Sequence, residues 1–376
     1  MRRRPKIFIL ICIIVLLSFG TWLIKQREQF GRVKPCFVGS STKLHKTVIV
    51  PTLDSPIQAN RNVIWCASFL LAWRQAQNHV FHAPIQLAGA NDVAQRLNNA
   101  STTDIQLDPQ DIYTNTGYIG KGIIPTIRRE MTAKYPDVSG ACLPSPCDGR
   151  GVVTYAYLST HMKFAKPYPQ YPSGTTFIDG AQHKTNIRAF GISSAHKNRL
   201  DNLRKQVDVL FYKENGPVHN RTSNEFAIDV CRTSRPYRII LACIPPKATL
   251  AATVAEVQRR IATETNPANK GPMDPQDTLV IPEICWRITH HFSELEGQQV
   301  RNSGHNTMTT EALQVLDFTL DRSGVQLATA PSIVVQGVSK RLLVTRPFLL
   351  YLTRRGSNTP FFAMWIDNTE LLNKQK

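Results

Sequence analysis

The sequence predicts an α+β chain: one large body of mixed sheets and helices behind a single apolar N-terminal helix. Three observations carry this. Hydrophobic residues make up 42% and charged residues 19% of the 376, which excludes disorder and leaves ample material for a core. An uncharged run stands at the N-terminus behind a basic cluster. Beyond residue 150, strand-like segments spread over most of the chain without strict alternation with helices or an obvious linker. That argues against a doubly wound sheet and against two domains.

The first segment sets the expected compartment. Arg2, Arg3, Arg4 and Lys6 precede the run from Ile7 to Ile24, about 27 Å long as a helix and just enough for a bilayer core. Trp22 lies near its far end, where an interfacial aromatic belongs. The basic cluster favours a cytoplasmic N-terminus with the body translocated, although Lys25, Arg27 and Arg32 weaken that bias. The expectation is a signal anchor at 7–24 contacting the lipid bilayer, a stem at 25–45 and an extracytoplasmic body at 46–376. The alternative is a cleaved signal and a secreted body, but no small-x-small cleavage site follows the run closely.

Cysteine use fits an oxidising compartment loosely. Outside the apolar run stand Cys36, Cys66, Cys142, Cys147, Cys231, Cys243 and Cys285. Cys142-Leu-Pro-Ser-Pro-Cys147 is short enough to close a local disulfide, and the odd count leaves at least one thiol. No partner pair with C-x-x-C or H-x-x-x-H spacing accompanies it, so no metal site is expected.

The body reads as follows. Asn62–Gln77 (NVIWCASFLLAWRQAQ) has apolar residues at helical spacing and predicts a buried helix. Asp104–Tyr135 reads as loops and shorter helices. From Val152, VVTYAYLSTHMKF turns to β-branched and aromatic residues. Further strands are expected at Gln206–Tyr212, Phe226–Arg232, Arg238–Ile244, Thr278–Ile281, Val315–Leu320, Phe348–Leu352 and Pro360–Ile366. Ala248–Ala262 is an amphipathic helix among them. His290-His291-Phe-Ser-Glu294 predicts a polar helix start rather than a metal or acid–base cluster.

The net charge of +18 admits nucleic acid, an anionic membrane or a polyanion as partner. The basic residues are scattered, so a polyanion contact is a weak expectation and nucleic acid is not expected. No nucleophile elbow, P-loop, dinucleotide fingerprint or H-E-x-x-H is present. Neither an enzyme nor a cofactor is therefore expected.

The C-terminal third resembles a known family. Arg346-Pro347-Phe348-Leu-Leu-Tyr-Leu, then Thr359-Pro360-Phe361-Phe362-Ala363-Met364-Trp365, look like the closing strand pair of serpins. Gln314-Val-Leu-Asp-Phe-Thr-Leu-Asp321-Arg-Ser-Gly324 resembles the stretch leading into that family's reactive loop. Thr278-Leu-Val-Ile-Pro282 with His291-Phe-Ser-Glu-Leu295 is similar to the family's L-x-L-P-K-F segment and the helix after it. Arg238–Pro245 with the Ala248–Ala262 helix looks like its strand, L-P and helix succession. Lys163-Phe164-Ala-Lys166-Pro167-Tyr168 resembles K-W-x-x-P-F, and Asn62–Gln77 suits its first core helix. The order and spacing of these segments, more than any one of them, carry the resemblance; residues 78–151 match least.

The resemblance implies a large domain with a central, mainly antiparallel sheet and a reactive-loop-like segment at 324–346. It implies inhibition of a serine or cysteine protease by trapping: the cleaved loop inserts into the sheet as a new strand and holds the acyl-enzyme. The hinge would be Gly324, Val325, Gln326, Leu327, Ala328, Thr329 and Ala330. The bait bond would fall among Gly337, Val338, Ser339, Lys340 and Arg341, of which Lys340 and Arg341 suit a trypsin-like enzyme. Gln314 stands where the family has a His, and Ala156 where it has an Asn, in the polar pair that holds the sheet where it parts. Leu327 and Pro331 depart from the family's pattern. Pro331 cannot donate a ladder bond in a central strand. A non-inhibitory binding protein on the same scaffold is the alternative expectation.

Overall fold

The computed structural model describes residues 35–89, 92–145, 149, 151–161, 164–193, 201–215, 224–232, 236–303, 307–323 and 339–375. The expected anchor at 7–24 lies outside them. Among the described residues no helix is long and apolar enough to cross a membrane.

Among the described residues, three sheets organise the unit from Pro35 onward. The first runs in the order β1 (Phe37–Ser40), β13 (Ile284–His291), β15 (Met308–Leu320), β5 (Val152–His161) and β4 (Ile112–Tyr118), with β14 (Gln298–Gln299) also on β15. The second has eight strands: β11 (Gly271–Pro272), β8 (Asp208–Lys213), β9 (Glu225–Asp229), β10 (Tyr237–Cys243), β17 (Phe348–Arg354), β18 (Pro360–Ile366), β3 (Asn62–Cys66) and β2 (Thr47–Val50). The third has four: β16 (Arg341–Leu343), β12 (Thr278–Pro282), β7 (Lys184–Ile192) and β6 (Gln170–Ile178). The described α-helices are α1 (Ala67–Ala76), α2 (Asp92–Asn99), α3 (Ile123–Lys134), α4 (Asp201–Arg204) and α5 (Leu250–Thr263).

Every body strand expected from the sequence is found: Val315–Leu320 is only the second half of the longer β15, and Pro360–Ile366 coincides with β18. The core lies between the first two sheets. Trp286 of β13 stacks on Phe318 of β15 with ring centroids 5.4 Å apart, and Phe318 stacks on Phe362 of β18 at 5.1 Å. Gly191 of β7 sits against β12 in the third sheet. Its φ is +151°, and a Cβ there would drive into the carbonyl oxygen of Leu279 on β12; only glycine accommodates both conditions.

Four sequence expectations require correction. The helix expected from Asn62 begins only at Ala67. Residues 62–66 form a strand buried on both faces, parallel to β2 and antiparallel to β18. A continuous apolar run does not distinguish these two states by periodicity, and pairing on both edges decides for strand. Cys66 ends it as the N-cap, its Sγ accepting the Ser68 N–H at 3.4 Å.

The expected stem contributes structure too, because residues 37–40 pair in parallel with β13. The segment Asp104–Tyr135 hides strand β4, whose Asn115 and Gly117 disguise it. Finally, His290 and His291 end a strand rather than start a helix, and only a tight turn follows, with Leu295 N–H donating to Phe292 O at 2.8 Å. The first sheet is mainly antiparallel, as expected, through β13–β15, β14–β15 and β4–β5, with β1–β13 and β15–β5 parallel.

Candidate functional site

Strands β5 and β15 meet as parallel neighbours at the centre of the first sheet. Their register runs from Thr309 opposite Val152 to Thr319 opposite His161, with one irregularity between Thr309 and Glu311. An antiparallel strand placed between them would find unpaired-ladder partners on both sides once the seam parted. The chain leaving β15 at Leu320 would have to reverse direction to supply such a strand.

The two faces of this seam differ. Ala156, Leu158, Leu316 and Phe318 face the main core. Tyr155, Tyr157, Leu313 and Val315 face a second cluster built by Ile123, Ile127 and Met131 of α3 with Cys142. Tyr155 Oη donates to Cys142 O at 2.9 Å, and the rings of Tyr157 and Tyr135 lie 4.5 Å apart. The packing therefore covers the seam on one side and cores it on the other.

Gln314 and Ala156 are direct register partners across the seam, so the structure brings the expected pair together. Both are fully buried. Gln314 Nε2 donates to Ser68 Oγ at 2.9 Å and to Cys66 O at 3.3 Å, which ties β15 to the N-terminus of α1. Its Oε1 has no hydrogen-bond partner among the described residues. An orphaned buried carbonyl costs about 1–3 kcal/mol, and Ala156 offers nothing to relieve it. Ser68 is a site residue that sequence reasoning missed; its proximity to Gln314 depends on how α1 crosses the sheet.

His290 completes the row, opposite Gln314 on β13. Burial, with a smaller push from His291, lowers its pKa to about 4. The neutral ring shares a hydrogen bond of 2.8 Å with Ser41 Oγ and stands edge-on to Phe292. His291 points away, pairs with Glu296 at 2.8 Å, and is raised by that hydrogen bond. Among the described residues no cluster could hold a metal ion.

The chain beyond β15 is fixed at both ends. At its start, Ser323 N–H donates to Asp321 Oδ1 at 2.7 Å. The carbonyls of Arg322 and Ser323 accept from the backbone of Tyr168 and Phe164 at 3.0 and 3.2 Å. Phe164 and Tyr168 are buried, edge to face at 4.8 Å, in the segment that resembled K-W-x-x-P-F.

At the return end, Ser339 Oγ donates to Gln276 O at 2.7 Å. Lys340 is buried, with Nζ 2.7 Å from Asp274 and 3.5 Å from Asp277. Asp277 Oδ1 also accepts the Lys340 N–H at 2.6 Å, and Oδ2 the Asp274 N–H at 2.9 Å. Burial opposes the Lys340 charge, but the Asp274 hydrogen bond and the Asp277 charge outweigh it and raise its pKa. Burial raises the Asp277 carboxyl, with those N–H groups and Lys340 pulling the other way. Arg341 follows as the first residue of β16, opposite Thr278.

Three of the five candidate bait residues thus fall at a fixed end: Ser339 and Lys340 anchor the chain, and Arg341 belongs to a strand. Gly337 and Val338, and the hinge from Gly324 to Ala330, lie outside the described residues. So does Cys147, while Cys142 is a buried thiol with Ser139 Oγ and Thr289 Oγ1 each 3.7 Å away.

Among solved structures, the thermophilic serpin Tengpin in its native state superposes with a TM-score of 0.51 and 11% identity, over 88% of this chain and 99% of that one. A tumour suppressing serpin matches at 0.49 and 10% identity, over 82% and 92% of the two chains. Serpin48 of the insect Tenebrio molitor matches at 0.45 and 13%, over 83% and 92%. No protein-family model and no curated protein matches the sequence. At such identities the likeness bears on fold alone, and it rests on the first of the three. With the parallel seam, the three sheets and the strand order described above, this chain has a serpin-like fold.

Proposed function

We propose that this protein inhibits a protease by inserting its own cleaved loop between β5 and β15. The observation that carries the proposal is the parallel register of those two strands, a slot that accepts one antiparallel strand, at the root of the chain that would supply it. The anchored position of Lys340 moves the bait bond N-terminal to Ser339. Residues 324–338 contain no Lys or Arg, so the target favours an uncharged residue before the cut. The basic head and apolar run at 7–24 support tethering to a membrane with the body outside the cytoplasm. The protein itself performs no turnover.

The test incubates the full chain with a panel of serine and cysteine proteases, followed by denaturing gels and sequencing of fragments. A detergent-resistant adduct with cleavage between Gly324 and Ser339 is expected. Clean cleavage there without an adduct, and without a rise in thermal stability, would refute insertion.

One observation favours a second reading, a binding protein that does not trap proteases. Pro331 would enter the seam without a ladder N–H, at a cost of a few kcal/mol. Exchanging Pro331→Thr separates the readings. An inhibitor limited by insertion forms more adduct per cleavage; a binding protein forms none before or after.

A further inference from the structure

The edge strand β1 is poorly secured by packing. Only Phe37 turns its side chain to the main core, and Val38 on the opposite face is 61% exposed. Four register pairs join the strand to β13, beginning with Phe37 opposite Trp286. One residue earlier on each strand stand two cysteines, Cys36 and Cys285. The Cys36 N–H donates to Cys285 O at 2.8 Å, so the two backbones are in direct contact at this point.

Alternation places the two sulfurs on one face. Phe37 and Trp286 both face the core, so their preceding neighbours face the other side. Cys285 does so demonstrably, with Sγ 3.3 Å from Thr319 Oγ1 on the adjacent strand. Residues opposite one another on neighbouring strands have Cα atoms about 5 Å apart, inside the 4.4–6.8 Å window that disulfides occupy. Desolvation against the sheet edge and the nearby Cys285 sulfur together push the Cys36 thiol up to about 12.

We propose that Cys36 and Cys285, both thiols in this structure, form a disulfide that fastens β1 to β13. The oxidant is a small-molecule or protein disulfide. The exposed Cys36, as thiolate, attacks one of its sulfurs, giving a mixed disulfide and releasing one thiolate. Cys285 thiolate then attacks the Cys36 sulfur and expels the second. Two protein thiols are oxidised, one external disulfide is reduced to two thiols, and both protein protons pass to those leaving groups. The raised pKa makes the step slow near neutrality and faster in base. The bond lies wholly on the β13 side of the seam, so it leaves β5 free to part from β15.

The full chain is equilibrated in oxidised and reduced glutathione at pH 8.5, quenched in acid, alkylated after denaturation, digested and mapped by mass spectrometry. A peptide pair joined through Cys36 and Cys285 is expected, absent from Cys36→Ser and from Cys285→Ser. The oxidised wild type should melt roughly 5–10 °C above the reduced form, because the bond closes a loop spanning most of the chain. Wild type that keeps Cys36 as its glutathione adduct with Cys285 alkylated, or that joins either cysteine elsewhere, overturns the proposal. The wild-type map decides the matter even if a serine variant does not fold.

Discussion

Replacing Asp277 by Ala should release the return end of the loop. Asp277 is fully buried and accepts two backbone N–H groups, from Lys340 at 2.6 Å and Asp274 at 2.9 Å, while facing the buried Lys340 ammonium. The truncation strands the buried Lys340 N–H, at about 1–3 kcal/mol. It also leaves the ammonium with Asp274 alone, whose side chain is 34% exposed, so that remaining pair is screened. Together these come to about 3 kcal/mol, or roughly a 100-fold larger local opening constant.

Trypsin reads that opening directly, because no Lys or Arg stands between Arg322 and Lys340. Any tryptic cut toward the end of the loop therefore reports access to Lys340 or Arg341. Under conditions where opening is faster than cleavage, the rate follows the open population. The wild type should resist trypsin there, Asp277→Ala should be cut about 100-fold faster, and Asp277→Asn, which keeps an acceptor, should fall between. Wild type cleaved at Lys340 as fast as a short peptide would refute the anchored end, and an unchanged rate in Asp277→Ala would refute the assignment of the anchor to Asp277.

Three other outcomes are expected. Gln314→Ala loses the Ser68 hydrogen bond and opens a void, partly offset by removal of the orphaned Oε1; denaturant midpoints should report a loss of about 1–3 kcal/mol, and Gln314→Met, which keeps the volume, a smaller one. For His290 the folded pKa of about 4 lies below the ordinary value of 6.5. Its contribution is thus full above pH 6.5 and lost as pH falls toward 4, up to about 3 kcal/mol; urea titrations at pH 7 and 4.5 should show His290→Gln losing less than wild type, and equal losses would argue against it. Gly191→Ala should destabilise through both the φ of +151° and the clash with Leu279 O, by on the order of 2 kcal/mol or more, visible as a lower melting temperature without loss of the other sheets.

Much of the fold was legible because its strands are two-sided. Runs such as Pro360–Ile366, buried at every position, announce themselves by composition alone. Edge strands do not. Residues 37–40 (FVGS) and 112–118 (IYTNTGY) carry Gly and Asn that read as turns, and only their neighbours make them strands. The Gln314–Ala156 pairing could be anticipated because flanking segments fixed both registers. The Ser68 contact could not, since it depends on the crossing of α1. Lys340 misled for a related reason: a lysine in a loop-like stretch reads as solvated, and its burial depends on two carboxylates supplied by a distant turn.

That buried lysine makes the chain after β15 resemble a cord spliced at two ends of unequal strength. Strand β16 holds by only three register pairs to β12 and would peel readily under tension. The Lys340 knot lies ahead of it and takes the load first. If the seam pulls the cord inward while it is whole, strain rises against that knot and entry stalls. Cutting the cord on the near side frees one end at once and leaves the knot slack. On the proposed insertion, a single buried ammonium would act as a ratchet pawl, so that scission and not peeling of β16 lets the chain enter.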